Sequence, residues 1–416
     1  CSLFFLLRLA NRKEQLHLLR TVNLPILLFV SWIGMVFVLN PIGLAMLGSQ
    51  TGGARFYLKI ALAFSAFVIL SNRTYSEKDI KIVFALMIFG AFFSMIYGII
   101  EITVTGPSID PTTGLVSQEF YTWHQALSLP AITIAFVIFS RCSPKDVFSF
   151  SGLPLITIYA FCVGLVLLSG KRMALAAIFL APLLSAYMHR QLRYFPIGLA
   201  GFVFLTAIVL FGQGQIFSLP LVAQRTLSWL PGDWDPELDS VRGGSDEWRA
   251  GLRRFAIDNI KRDPWIGRGF AVDLSDAITA VGMQAYDGSI EAQTASYAIG
   301  RAWHNTWLGY AADFGIPFSL MQAFIYGSML YFSATAFRRL SNGGLLRAFA
   351  LYVFIFTFRD LFASWTSGHS ALDAFNRWWM YGIMVAIYLQ TKPAKDHTPR
   401  IAAGNSRAPR PVPSLS

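Results

Sequence analysis

Repeated long apolar segments, separated by short polar ones, constrain the fold of this chain more than any other feature. They lie at about 24–40, 56–70, 82–102, 122–139, 153–169, 173–188, 195–212, 316–336, 348–366 and 376–391. Each approaches the ~20 apolar residues that a helix needs to cross a bilayer. Only 14% of the residues are charged, whereas a soluble domain carries about 25%. We predict an all-α, polytopic integral membrane protein with about ten full transmembrane helices, preceded by a truncated first one at Ser2–Leu7.

Basic residues alternate between the connections, and this alternation predicts the orientation of the helices. Every second connection is basic, and these connections contain Arg73, Lys78, Lys81, Arg141, Lys145, Arg190, Arg193, Arg338, Arg339 and Arg347. The alternate connections at 103–121 and 367–375 contain neither lysine nor arginine. Because cytoplasmic loops are enriched in both residues, the long polar segment at 213–303 is predicted to face the periplasm. The net charge of +11 then reflects topology, and we expect no nucleic-acid partner.

This topology divides the chain into four predicted parts. Residues 1–212 are an N-terminal transmembrane bundle, and residues 213–303 are a periplasmic loop. Residues 304–391 are C-terminal transmembrane helices. Residues 392–416, which are rich in Pro, Arg and Ser, are a disordered basic cytoplasmic tail.

The predicted periplasmic loop contains one amphipathic helix and one turn. Ser245 can cap a helix whose first turn is acidic, as the positive end of the helix dipole favours. Its apolar face consists of Trp248, Leu252, Phe255, Ala256 and Ile260. The helix ends before Pro264, where Pro264-Trp265-Ile266-Gly267-Arg268-Gly269 predicts a turn that needs glycine. Residues 213–240 contain three prolines, which predicts an irregular loop.

Two charged pairs lie where membrane topology alone would not place them. Lys171 and Arg172 occupy a short periplasmic connection, against the positive-inside rule. Arg359 and Asp360 lie within an apolar segment, where charge is costly and by default marks a cavity or a substrate path. We predict that Arg359 and Asp360 line a substrate cavity. The alternative is that Arg359 simply pairs with Asp360 or extends to the membrane interface.

A histidine-asparagine pair stands where the long polar segment returns to apolar sequence. His304 and Asn305 come first, and Leu308 follows at helical spacing from the histidine. Gly315 and then Pro317 predict that one short helix ends and another begins. A histidine at a membrane surface is a candidate for chemistry, although it also serves there as an ordinary hydrogen-bonding side chain.

Four signals in this order resemble the signature of the O-antigen ligase and O-antigen polymerase superfamily. They are the Ser169–Arg172 start of a predicted span, an arginine-bearing helix, the Pro264–Gly269 turn and the pattern His304-Asn305-x-x-Leu308. The resemblance covers residues 169–317. It departs from the family in two respects. The family often has a Pro-Asn pair entering an earlier span, where this chain has Tyr121-Thr122-Trp123-His124-Gln125. In addition, the family's helix arginine usually precedes an aromatic residue by a few positions.

Here the order is reversed, since Arg249 follows Trp248 directly and Arg242 lies six positions before it. Arg242, Arg249 and Arg253 therefore all stay candidates for the family's helix arginine. Arg249 and Arg253 are four residues apart and so share one face of the predicted helix.

The resemblance implies a membrane glycosyltransferase of the bacterial inner membrane with its active site facing the periplasm. Its donor would be an undecaprenyl-diphosphate-linked glycan, and its acceptor would be a lipid A-core or another glycan. His304 would be the catalytic base and Arg172 would engage the diphosphate, with Lys171, Asn305 and a helix arginine binding substrate beside them. Metal-independent transfer without a cofactor is the simpler expectation.

An O-antigen ligase is the leading interpretation of these features. A polymerase of O-antigen or exopolysaccharide that uses the same donor is the alternative, and sequence alone separates the two poorly. A lipid-linked glycan transporter is remoter, because transporters often contain internal repeats and this sequence has none. Transport would also leave the His304-Asn305 pair unexplained.

The predicted orientation can be tested by cysteine labelling in spheroplasts. With the native cysteines replaced by serine, Ser289→Cys should react with a membrane-impermeant maleimide, because its segment faces the periplasm. Ser341→Cys, in a basic connection, should be spared until the membrane is permeabilised. The reverse pattern would contradict both the orientation and the function that depends on it.

Overall fold

The structure is a computed structural model, and it describes residues 20–40, 54–105, 124, 126–269, 303–341, 343–365 and 375–391. Within these ranges the secondary structure is helical, apart from turns and one isolated bridge between Gln213 and Phe217. The prediction of an all-α fold is confirmed. The predicted tail at 392–416 and the part of the periplasmic loop at 270–302 lie outside the described residues.

The α-helices are numbered here in chain order. They are α1 Arg20–Leu39, α2 Ala54–Ser71, α3 Glu77–Thr105, α4 Ser128–Arg141, α5 Pro144–Val147, α6 Leu153–Leu167, α7 Arg172–Met188, α8 Phe195–Gly212, α9 Leu221–Leu227, α10 Glu237–Arg262, α11 Thr306–Phe314, α12 Ile316–Arg339, α13 Leu345–Ala363 and α14 Trp378–Gln390. Short 3-10 turns at Phe150–Gly152 and Leu192–Tyr194 precede α6 and α8.

The apolar segments of the sequence all form helices, but their capacity to cross a membrane differs. Among the described residues, Glu77–Val104 and Phe150–Leu167 are long and apolar enough to span a bilayer. Shorter apolar helices lie at Ile26–Leu39, Phe56–Ser71, Ser128–Arg141 and Arg172–Met188. The helical character of the predicted spans is thus confirmed, whereas the count of ten membrane crossings stays a prediction.

The centre of the N-terminal helices is α4, which packs against α3, α6, α7 and α13. Ala131 and Ala135 on α4 are fully buried, and small side chains of this kind let neighbouring helices approach closely. Ser185 of α7 donates a hydrogen bond to the Phe139 carbonyl of α4 at 2.7 Å. Since α7 also packs against α13, the helix that starts at Arg172 is held against the helix that carries Asp360.

An aromatic cluster joins the first helix to the C-terminal helices. Phe29 of α1 stacks on Phe318 of α12 with ring centroids 4.3 Å apart, and it contacts Trp378 of α14 at 5.3 Å. Phe375 lies 5.2 Å from Trp378 and completes the cluster. Such pairs add about 0.5–1.5 kcal/mol each to the burial of their apolar area. The cluster therefore fixes α1 against α12 and α14.

The predicted irregular loop at 213–240 and the predicted cap at Ser245 are both wrong. The structure contains α9 within the loop, and α10 begins eight residues before Ser245, at Glu237. Pro236 stands at the N-cap position, and the acidic residues that follow it at Glu237 and Asp239 suit the positive end of a helix. The acidic segment therefore forms the first turn of the helix, and Ser245 lies inside it.

Candidate functional site

The start of α11 is built around Asn305. Its side chain accepts a hydrogen bond from the Leu308 amide at 3.0 Å and so caps the helix. Its amide nitrogen also donates to the Trp365 carbonyl at 3.4 Å. The Thr306 amide donates to the Ser364 carbonyl at 2.9 Å. The pattern His-Asn-x-x-Leu is thus a helix cap that is hydrogen-bonded to the end of α13.

His304 lies just outside this helix and is half-buried. Its backbone has φ 50°, which is a left-handed conformation uncommon for residues other than glycine. The helical spacing that the sequence indicated from His304 onward therefore begins at Thr306. The backbone turn at His304 therefore places this residue before the N-cap and outside the helix.

The predicted turn at Pro264–Gly269 docks directly on the end of α11. The Arg268 amide donates to the Ala312 carbonyl at 3.1 Å, and the Gly269 amide donates to the Asp313 carbonyl at 2.6 Å. The Ile316 amide at the start of α12 donates to the Pro264 carbonyl at 2.8 Å. These backbone bonds tie the polar segment to the junction between α11 and α12.

Glycine is needed on both sides of this contact. Gly267 has φ 71°, and a Cβ atom there would lie 2.6 Å from the backbone of Asp313. Gly315 has φ 85°, and a Cβ atom there would collide with the Trp265 carbonyl. The predicted end of one helix at Gly315 and the start of the next before Pro317 are confirmed. The close approach of the two segments explains why both positions exclude a side chain.

The arginine-bearing helix α10 packs against α11. Leu252 and Ala256 of α10 are buried together with Trp303 and Ala312, and Ile260 packs against them. This confirms the predicted apolar face at these three positions of α10. Phe255 stacks on Trp303 with ring centroids 6.0 Å apart but stays 40% exposed.

The candidate arginines of α10 occupy different environments. Arg249 is half-buried and Arg253 is exposed, on the helix that contacts α11. Arg242 lies in the same helix, but its side chain is outside the described part of the structure. The structure thus brings the helix of these arginines to the helix that follows His304.

Arg172 is the first residue of α7, and its guanidinium is directed toward α9. Its Nη2 atom donates to Ser228 Oγ at 3.0 Å, and its Nε atom donates to the Arg225 carbonyl at 3.4 Å. The short helix α9 is itself attached to α6, because Thr226 Oγ1 donates to the Leu167 carbonyl at 2.9 Å. Lys171 and Arg172 are both exposed, so these cations stand at the surface of the turn between α6 and α7.

Arg359 and Asp360 are part of a buried charge cluster with a third member, Arg377. Asp360 is 1% exposed. Arg359 Nη1 donates to Asp360 Oδ1 at 2.9 Å, and Arg377 Nη1 donates to Asp360 Oδ2. The ion pair between Arg359 and Asp360 was left open as an alternative by the sequence, and it is present.

Arg377 was not among the residues predicted from the sequence. It lies one residue before α14, at the start of an apolar segment, which is the same signal that selected Arg359. Arg172 contacts α9, whereas Asn305, the neighbour of His304, contacts the end of α13. Among the described residues, no three His, Cys, Asp or Glu side chains are grouped as a metal site would require.

One protein family matches the part of the chain that contains these residues. The family model described as O-antigen ligase matches residues 157–323. This match confirms the predicted superfamily. Residues 157–323 are similar to the O-antigen ligase family. The matched range starts within α6, ends within α12 and includes Arg172, α10, the Pro264–Gly269 turn and His304.

The match supports a membrane glycosyltransferase of the O-antigen ligase type in general, acting on lipid-linked glycans. Members of this family are membrane proteins, which agrees with the helices that could span a bilayer. A search of curated proteins found no match to the chain.

The docking of the turn on α11 can be tested with glycine substitutions. Gly267→Ala should lower the apparent melting temperature in detergent, because its Cβ atom has no room beside Asp313. Overpacking of this kind costs about 1–3 kcal/mol. Gly327→Ala is the matched control, since nothing lies within 4 Å of a Cβ atom there. Equal melting temperatures for the two variants would contradict the close contact.

Proposed function

We propose that this protein transfers an oligo- or polysaccharide from an undecaprenyl-diphosphate carrier to a lipid A-core or similar acceptor. The reaction takes place at the periplasmic face of the inner membrane. This proposal rests on the contacts made by the chain segments around His304. A cap, an ordered turn and an arginine-bearing helix converge on the helix that follows it, within the residues matched by the O-antigen ligase family.

His304 is proposed as the general base. It takes the proton from the acceptor hydroxyl while the new bond forms between that oxygen and the anomeric carbon of the donor sugar. The bond from the anomeric carbon to the diphosphate breaks in the same displacement, and the carrier diphosphate leaves. Partial exposure of His304 suits a side chain that must meet an acceptor from outside.

The diphosphate requires fixed cations, and arginine serves this purpose best because its planar group can hold two phosphate oxygens. Arg172 is the proposed primary contact, with Lys171 beside it. Arg249 or Arg253 is the proposed second contact, because α10 packs on the helix that follows His304. Arg242 stays a candidate on the same helix.

The prenyl chain requires an apolar surface that begins near Arg172. A groove of about 490 Å³ is lined by Leu184 and Tyr187 of α7, Leu330 of α12 and Phe354 and Phe358 of α13. At 1.5 Å per residue, Leu184 lies about 18 Å along α7 from Arg172. A carrier whose diphosphate contacts Arg172 could therefore lay its prenyl chain along α7 into this groove.

The main alternative is a polymerase that adds the glycan to another carrier-linked repeat. Surface polysaccharide from a strain lacking the gene separates the two. Loss of a ligase leaves lipid A-core without any repeat, whereas loss of a polymerase leaves core bearing a single repeat. The transport alternative is weakened, because Arg359 and Asp360 pair with each other and with Arg377.

Substitutions at His304 and Arg172 should fail in different ways. His304→Ala should retain donor binding and lose transfer by about 10²–10⁴-fold, as expected for a positioned base. Arg172→Ala should weaken donor binding, and Arg172→Lys should retain partial function because it keeps the charge but loses the planar group. Transfer and donor binding are measured on purified protein in detergent.

Two variants complete this test. His304→Gln keeps hydrogen-bonding capacity without a usable base, so near-normal transfer by it would remove the catalytic assignment. Arg262→Ala removes an exposed arginine at the end of α10 and should leave donor binding unchanged. If it weakened binding as much as Arg172→Ala, the specific contact at Arg172 would be rejected.

A further inference from the structure

A buried charge cluster at the end of α13 plays no part in the transfer step as proposed. Both carboxylate oxygens of Asp360 are bonded, one to Arg359 and the other to Arg377. The side chains of Arg359 and Arg377 are only 11% and 14% exposed. A carboxylate in such surroundings is stable only when paired, and removal of one partner leaves an uncompensated charge. Arg359 is adjacent to Asp360 in α13, whereas Arg377 connects α13 to the start of α14.

Hydrogen bonds lead from Asp360 to the start of α11. The amide and the hydroxyl of Ser364 both donate to the Asp360 carbonyl, at 2.9 Å and 2.7 Å. The Ser364 carbonyl accepts the Thr306 amide at 2.9 Å. The next carbonyl, that of Trp365, accepts the Asn305 side chain. The end of α13 is therefore the support on which the residues directly after His304 rest.

Arg377 also contacts an aromatic ring of α13. The Arg377 guanidinium carbon lies 5.3 Å from the Phe356 ring centroid on α13. The planar group of Arg377, which directly precedes α14, thus engages both this ring and the Asp360 carboxylate of α13.

We infer that Arg377 is a positioning residue for His304, acting through Asp360 and the hydrogen bond between Ser364 and Thr306. With Arg377 in place, its planar group holds the second carboxylate oxygen of Asp360, and the last turn of α13 has a fixed orientation. Without that group, this oxygen loses its partner, which loosens the turn that carries Ser364. The inference rests on the proposed role of His304 only for its effect on transfer.

Amide hydrogen exchange in detergent, measured by mass spectrometry, tests this without any substrate. In Arg377→Met, the amides of Thr306 and Leu308 should exchange about tenfold faster or more, because local opening of the α11 start becomes easier. Amides within α7 should exchange as in the wild-type protein. Arg347→Met is the matched control, since Arg347 near the other end of α13 is likewise anchored, to the Phe337 carbonyl at 3.1 Å. It should leave Thr306 and Leu308 unchanged.

Three results would overturn the inference. They are wild-type exchange at Thr306 and Leu308 in Arg377→Met, equal acceleration in α7, and equal acceleration at Thr306 and Leu308 in Arg347→Met. If Arg377→Met cannot be purified folded, Arg377→Lys decides alone by the same criteria. Lysine keeps the charge but lacks the planar group, so faster exchange confined to the start of α11 supports the role, and wild-type exchange there rejects it.

Transfer assays distinguish this inference from the proposed function. Arg377→Lys should lower kcat with little change in KM for the donor, because the base is misplaced while the diphosphate contacts remain. If kcat were unchanged and kcat/KM fell only because KM rose, a positioning role would be rejected. Absence of any transfer by the wild-type protein would instead reject the proposed function and leave the exchange result intact.

Discussion

A backbone contact between the Pro264–Gly269 turn and the junction of α11 and α12 joins the polar part of this chain to its apolar helices. Backbone groups removed from water must find partners, and here the turn supplies them to Ala312, Asp313 and Ile316. The contact is possible only because both facing positions are glycine. Since α10 directly precedes the turn, the docking of the turn also determines where the arginines of α10 lie. The polar segment is therefore held in place at the junction of α11 and α12.

Much of this local structure could be predicted from the sequence, because it depends on residues close together in the chain. The end of α11 at Gly315, the start of α12 before Pro317 and the apolar face of α10 follow from helix periodicity and helix-ending residues. The docking of the turn could not be predicted, since glycine indicates that a close approach is permitted without naming the partner. The predicted start of α10 was wrong because a serine cap is only a local preference. The acidic turn after Pro236 starts the helix earlier.

The buried charge cluster likewise combines a pairing between sequence neighbours with a pairing between residues far apart in the sequence. Arg359 and Asp360 are neighbours, so their pairing was foreseeable as one alternative. Arg377 is 17 residues from Asp360, and periodicity carries no information on a pairing across that separation. A more useful signal was available, because an arginine within an apolar segment requires a counter-charge and Asp360 was the acidic residue of the neighbouring segment. Considering the charged residues of the apolar segments together would have predicted the pairing of Arg377 with Asp360.

The site thus uses two kinds of positive charge that behave differently in solution. Arg172 and Arg253 are exposed, and interactions between exposed charges weaken as salt is added. Arg377 is largely buried beside Asp360, and pairs that are buried or partly buried are screened much less. In the proposed function, binding of an anionic donor and placement of His304 therefore depend on separate sets of charges. Because the proposed donor contacts are exposed cations and the buried arginines hold the protein's own anion, the proposed diphosphate binding leaves the support of the proposed base undisturbed.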